Sequence, residues 1–263
     1  MESQLAVSSD LGQLISAHRV TFGSKWGNLI FGIVLIVLGP VIYLGLTNLW
    51  ANSGAGMAEV LKTTPFLQYL PIGLGIIAVL LGLLTLIKAL RNWSLAVRVY
   101  ENGFEHTDRR GTKKVLWADI EGFRQQIIRY YRYAVIPAGS SYWLNIQTRQ
   151  GENFTLDNRF SKIKKLAETL QQRLASVQLP KYLAELEAGQ RVAFGPLGLD
   201  RQGVYQYDKS LSWSEVGKVE FDNGQVVIKK KGSNWGNWAK LDVSLVPNAA
   251  VFVMLAQKFQ SAA

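Results

Sequence analysis

The stretch Leu29–Leu46 reads LIFGIVLIVLGPVIYLGL without a single charge, and Phe66–Ile87 reads FLQYLPIGLGIIAVLLGLLTLI with only Gln68, Tyr69 and Thr85 polar. A membrane span needs about 20 predominantly apolar residues. Both runs meet that length, which predicts two transmembrane helices, over residues 29–50 and 66–88. Trp26 and Trp50 bracket the first run, and Tyr69 and Trp93 lie near the ends of the second. Amphipathic rings favour the headgroup layer. Pro40 and Pro71 are compatible with spans, where neighbouring helices re-satisfy the backbone. Ala78 and Gly82 form a small-xxx-small pair that lets the two helices approach closely.

The flanks set an orientation. Arg19 and Lys25 precede the first run, while Lys88, Arg91 and Arg98 follow the second. Positive charge stays on the cytoplasmic side, so both termini are expected in the cytoplasm and the loop of residues 51–65 outside. The first run exceeds a signal-peptide core, and Glu2 and Asp10 spoil a basic leader. It reads as a permanent anchor in the plasma (inner) membrane. Neither run contains an ionisable side chain, as ion-coupled transport normally requires. Residues 1–25 are expected to form a cytoplasmic segment with a short helix presenting Leu11, Leu14 and Ile15 on one face.

After Trp93 the pattern changes to strands separated by Gly and Asn. In LAVRVYENGFEHT, Asn102-Gly103 sits between alternating runs, a strong hairpin signal. Further strands fit residues 114–117, 122–134, 142–148 and 153–156, followed by a helix from about Ser161. The series then repeats. VYENGFEH (99–106) matches LDRQGVYQ (199–206), and VLWADI (115–120) matches LSWSEV (211–216). Residues 179–189 read as a linking helix. A last helix opens at Pro247, with Val251, Met254, Leu255 and Phe259 on its core face. The expected fold is α+β: a transmembrane helical hairpin over 26–92, then two small antiparallel β-units, 93–178 and 179–263, each closed by a C-terminal helix.

This build, with Gly103/Trp117/Asp119 repeated as Gly203/Trp213/Glu215 and a Pro247-Asn248 helix start, resembles bacterial membrane proteins with tandem pleckstrin-homology-like domains. It also resembles an uncharacterised membrane-protein family. The resemblance implies a binding or scaffolding module without a known reaction. In pleckstrin-homology domains the loop joining the first two strands often binds phosphoinositides through basic residues. If Val97–Glu101 and Phe104–Thr107 are that first pair, the tight Asn102-Gly103 turn leaves no room for such a loop, and the next one, DRRGTKK, is basic instead.

Charge is uneven within a net +10. Residues 91–178 hold fifteen Lys/Arg against eight Asp/Glu, and residues 179–263 ten against eight. Arg109, Arg110, Lys113 and Lys114 form a candidate lipid-facing patch, since each basic residue near an anionic leaflet gains about 1 kcal/mol. In the second unit Lys229, Lys230, Lys231 and Trp235 are candidates for partner binding. Aromatics interleave with Arg129 and Arg132, but membrane attachment argues against nucleic acid. Cysteine is absent and His occurs only at 18 and 106, which excludes Cys/His zinc sites. Glu101/Glu105 and Asp119/Glu121 lack a nucleophile or metal-ligand partner, and no phosphate-binding loop is present. The expectation is therefore no enzyme and no cofactor. The partners are the bilayer, anionic headgroups and an unidentified protein. The rival readings are a membrane-bound enzyme or enzyme subunit with a site between the repeats, and a subunit of a larger membrane complex.

Overall fold

The computed structural model describes residues 10–64, 66–132, 136–232 and 236–262. Among these, one compact unit takes residues 20–95 and 108–111, and the other residues 10–19, 96–107 and 112–262.

The helical unit contains α1 (Phe22–Asn52), α2 (Gly54–Thr63) and α3 (Phe66–Arg91). Thr21 caps α1, its side chain accepting from the Ser24 amide at 3.3 Å. α1 and α3 are long and apolar enough to cross a membrane, with mean hydropathy 2.7 and 2.6, and only 11% and 22% of their most apolar windows are buried. A core helix of a soluble protein is mostly buried, whereas these two leave most of their apolar surface exposed. The connection expected as a loop instead folds into α2. Packing between α1 and α3 runs through glycine. A Cβ on Gly39 would sit 2.7 Å from the Gly75 carbonyl, and one on Gly82 would sit 2.8 Å from the Gly32 carbonyl. Ala78 and Ala89 are buried on the same helix. At one end Trp26 meets Trp93 edge-on at 5.5 Å, and the Lys25 ammonium lies 5.5 Å from the Trp93 ring centre.

In the second unit β1 (Leu14–Arg19), β2 (Ala96–Tyr100), β3 (Gly103–Asp108) and β4 (Gly111–Leu116) form one antiparallel sheet in that order. A 3-10 turn over Trp117–Asp119 leads to β5 (Ile120–Arg132), β6 (Ile136–Thr148) and β7 (Asn153–Asp157), a second sheet. Helix α4 (Ile163–Glu187) follows. The later chain repeats the series. β8 (Val192–Phe194), β9 (Leu197–Leu199), β10 (Gly203–Gln206) and β11 (Lys209–Ser212) make four strands. A 3-10 turn over Trp213–Glu215 precedes β12 (Val216–Asp222), β13 (Gln225–Lys230), β14 (Ala239–Asp242) and helix α5 (Ala249–Ala262).

Matched residues do matched work. The Trp117 amide donates to Asn102 O at 3.0 Å and the Trp213 amide to Gln202 O at 3.1 Å. A Cβ on Gly103 would lie 2.2 Å from Val115 O, and one on Gly203 2.1 Å from Leu211 O, so only glycine fits under either strand. The Tyr100 hydroxyl donates to Glu105, and the Tyr205 hydroxyl to Asp200. One hundred positions apart, the same cross-strand pair survives with its two chemistries exchanged.

Three expectations are corrected here. Where the expected N-terminal helix overlaps the described residues it is a strand: Leu14–Arg19 pairs with β2, and Leu14 and Ile15 are exposed while His18 is buried. Period-2 geometry sends His18 inward, where Nδ1 lies 2.9 Å from Ser161 O and Nε2 3.2 Å from Ser16 Oγ. Consequently Val97–Glu101 and Phe104–Thr107 belong to the second and third strands, and the whole helical hairpin is inserted between the first and second. The helix from about Ser161 and the linking helix are also one continuous α4, running through Pro180. Its early face buries Leu166 and Leu170, whereas Ala175, Leu179, Tyr182, Leu183 and Leu186 join the core of the second repeat. Sharing one helix makes the repeats one body. On α5, Val251 and Leu255 are buried as expected, but Met254 is exposed and Phe252 and Ala256 fill the core instead.

Candidate functional site

The basic residues singled out in the first repeat, Arg109, Arg110, Lys113 and Lys114, are all exposed and lie on the β3–β4 hairpin. Arg109 and Arg110 occupy the tip of the β3–β4 turn, where the Arg110 amide is held by Asp108 Oδ1 at 2.7 Å. Both are exposed and make no ion pair among the described residues. The tip, Asp108–Gly111, groups with the helical hairpin in its compact unit, together with Lys25, Lys88 and Arg91. Lys113 and Lys114 lie on β4 in the other unit, and as neighbours in a strand they point to opposite faces. Lys113 is tied to Glu152.

In the second repeat the lysine run is likewise partnered. Lys229 reaches Glu220 at 3.5 Å and Lys230 reaches Glu215 at 2.7 Å. Glu215 is held below the usual carboxylate range by its hydrogen bond from Lys230, with help from Ser212. Lys231 is exposed. Trp235 lies outside the described residues. Trp238 is partly buried against the second core.

The seam between the repeats, where the rival reading put a site, is built from residues that the sequence did not single out for it. Asn248, with φ +51°, is buried immediately before α5. Its amide donates to Phe123 O, its Oδ1 accepts from the Phe123 amide, and its Nδ2 donates to Glu121 O, each at 2.8 Å. β5 is the edge of its sheet, and Asn248 satisfies the backbone groups that an edge leaves unpaired. Beside this staple lies a cavity of about 270 Å³, lined by β5, α4, the turn at Asn223-Gly224 and the start of α5. Its walls carry Phe123, Ile127, Leu174, Phe221, Val243 and Val251, with the amides of Gln125, Gln171, Asn223 and Asn248, and no ionisable side chain among the described residues. A second, more polar cavity of about 390 Å³ adjoins Gln178, whose Nε2 donates to Ile120 O at 3.0 Å while its Oε1 has no partner among the described residues. Arg149, Lys181 and Glu121 line that second cavity.

The Pro247-Asn248 pair was visible as a helix start, but its three bonds join positions about 125 residues apart and carry no local signal. Among the described residues no three His, Cys, Asp or Glu side chains cluster as metal ligands do. The phenols of Tyr100 and Tyr205 are both pushed above their usual range, Tyr100 mainly by burial and Tyr205 mainly by its bond to Asp200. Both pairs are built into the sheets.

No curated protein matches the chain. Residues 1–263 match the profile described as Family of unknown function (DUF6585), and the chain belongs to that family.

Proposed function

We propose that this family member is a non-catalytic, membrane-anchored binding protein. In this reading α1 and α3 span the plasma or inner membrane of a bacterium, with both termini cytoplasmic. The two repeats act as pleckstrin-homology-like domains held at the bilayer, and they serve anionic headgroups and a protein partner. The four-plus-three strand order closed by a helix in each repeat supports the comparison with that domain type. The observation that carries the lipid reading is the grouping of Arg109 and Arg110 with the helical hairpin. In pleckstrin-homology domains the loop after the first strand meets phosphoinositides; here that position holds the hairpin itself, which makes recruitment unnecessary. Basic residues beside an anionic leaflet then orient the domains, with a gain of about 1 kcal/mol each that fades beyond a Debye length.

The test is hydrogen exchange on the full chain in nanodiscs of phosphatidylcholine alone or mixed with phosphatidylglycerol. Amides of residues 108–112 are expected to exchange more slowly in the anionic discs. High salt, or Arg109→Ala with Arg110→Ala, should remove that protection. Identical exchange in both lipids overturns the headgroup reading.

A further inference from the structure

We propose that the seam cavity is a binding site for a small uncharged amphiphile, a molecule with an apolar body and one amide- or hydroxyl-like group. The cavity is partly open to solvent and offers about 270 Å³, near the lower end of the roughly 300–1,000 Å³ typical of ligand pockets. It lies where two β-units and a shared helix meet, the kind of junction at which ligand pockets recur.

Its chemistry selects the ligand. Phe123, Ile127, Leu174 and Val251 supply apolar wall. Asn248 is already committed to Phe123 and Glu121. Gln125 and Gln171 are different: both are half-buried in the wall, and their side-chain amides have no partner among the described residues. Each offers two donors and an acceptor. A polar ligand group bonded by them satisfies both sides, whereas a charge would enter without a counter-charge and pay desolvation alone. The inference is independent of the headgroup reading, since the basic turn takes no part in it.

The probes are hexanamide, hexanoate and protonated hexylamine, three ligands with the same chain and different charge. Each is titrated against the full chain in phosphatidylcholine nanodiscs by saturation-transfer NMR, with empty discs subtracted. Hexanamide is expected to bind, and the two ions at least about tenfold more weakly. Gln171→Leu and Gln125→Leu should each weaken hexanamide about fivefold or more while leaving the melting temperature of the unliganded protein in place, because both side chains are half-exposed and have no hydrogen-bond partner among the described residues. Ala250→Phe, which fills the cavity, should abolish binding. Absence of hexanamide binding overturns the proposal. So does equal affinity for all three probes, or binding untouched by every one of these substitutions.

Discussion

Asn248 and Phe123 exchange two hydrogen bonds of 2.8 Å across the junction of the repeats, pairing as two strand residues would although Asn248 opens a helix. The positive φ turns its backbone amide and its side-chain carbonyl toward the same residue, a conformation Asn tolerates better than other non-glycine residues.

Asn248→Ala leaves the Phe123 amide and Glu121 carbonyl without their side-chain partner and strains the backbone. The expected loss is about 2–4 kcal/mol. Asn248→Gly relieves the strain but not the missing bonds, and should fall between the two. Thermal unfolding of the three proteins in one detergent checks the order; an Ala variant as stable as the parent refutes the staple.

The α1–α3 contact predicts a position-specific response to bulk. Gly82→Leu drives a side chain into Ile36 and the Gly32 carbonyl and should cost about 1–3 kcal/mol. Gly73, on the same helix, has nothing within 4 Å of a Cβ. Gly73→Leu is expected to be neutral or slightly stabilising, as glycine is a poor helix former. Equal effects at both sites would remove the close packing from the explanation.

Arg19 and Ala96 are direct partners in the β1–β2 register. In the second repeat only Gly195-Pro196 separates the equivalent partners Phe194 and Leu197. Replacing residues 20–95 by Asn-Gly, a two-residue turn suited to antiparallel strands, should therefore give a soluble, folded protein. Residues 94–263 alone lack β1, expose the edge of β2 and lose His18 from beneath Ser161. They are expected to aggregate or to show collapsed NMR dispersion. Well-dispersed amide spectra from both proteins would show that β1 is dispensable.

Glu215 should titrate below the ordinary value of about 4.3, because the Lys230 ammonium and Ser212 stabilise its carboxylate. With a depressed folded pKa, its contribution is full above the unfolded value and is lost as pH falls through the folded one. Lys230→Ala is expected to return the carboxyl toward the ordinary range, followed by side-chain carbon NMR. A Glu215 titration that ignores the substitution would mean that this ion pair does not persist in solution.

Local pattern alone made most of the elements legible. Charge-free runs of helical length and the Asn-Gly turns declare themselves over a dozen residues, and the repeat rests on Gly103, Trp117, Gly203 and Trp213, whose contacts form within one hairpin. β1 escaped notice because six residues of LISAHR are too few for alternation to be told from a helical face. The basic residues were found by composition, but composition says nothing of facing, and strand alternation divides Lys113 from Lys114.

What the sequence determined by itself is the set of elements, since hydrophobic periodicity and turn chemistry act between near neighbours. Tertiary structure alone decided that the hairpin is an insertion within a sheet, that α4 serves two cores, and that Asn248, Gln125 and Gln171 meet at one seam. Those outcomes depend on backbone pairing and burial between residues tens to more than a hundred positions apart, and such pairings leave no periodic trace in the chain.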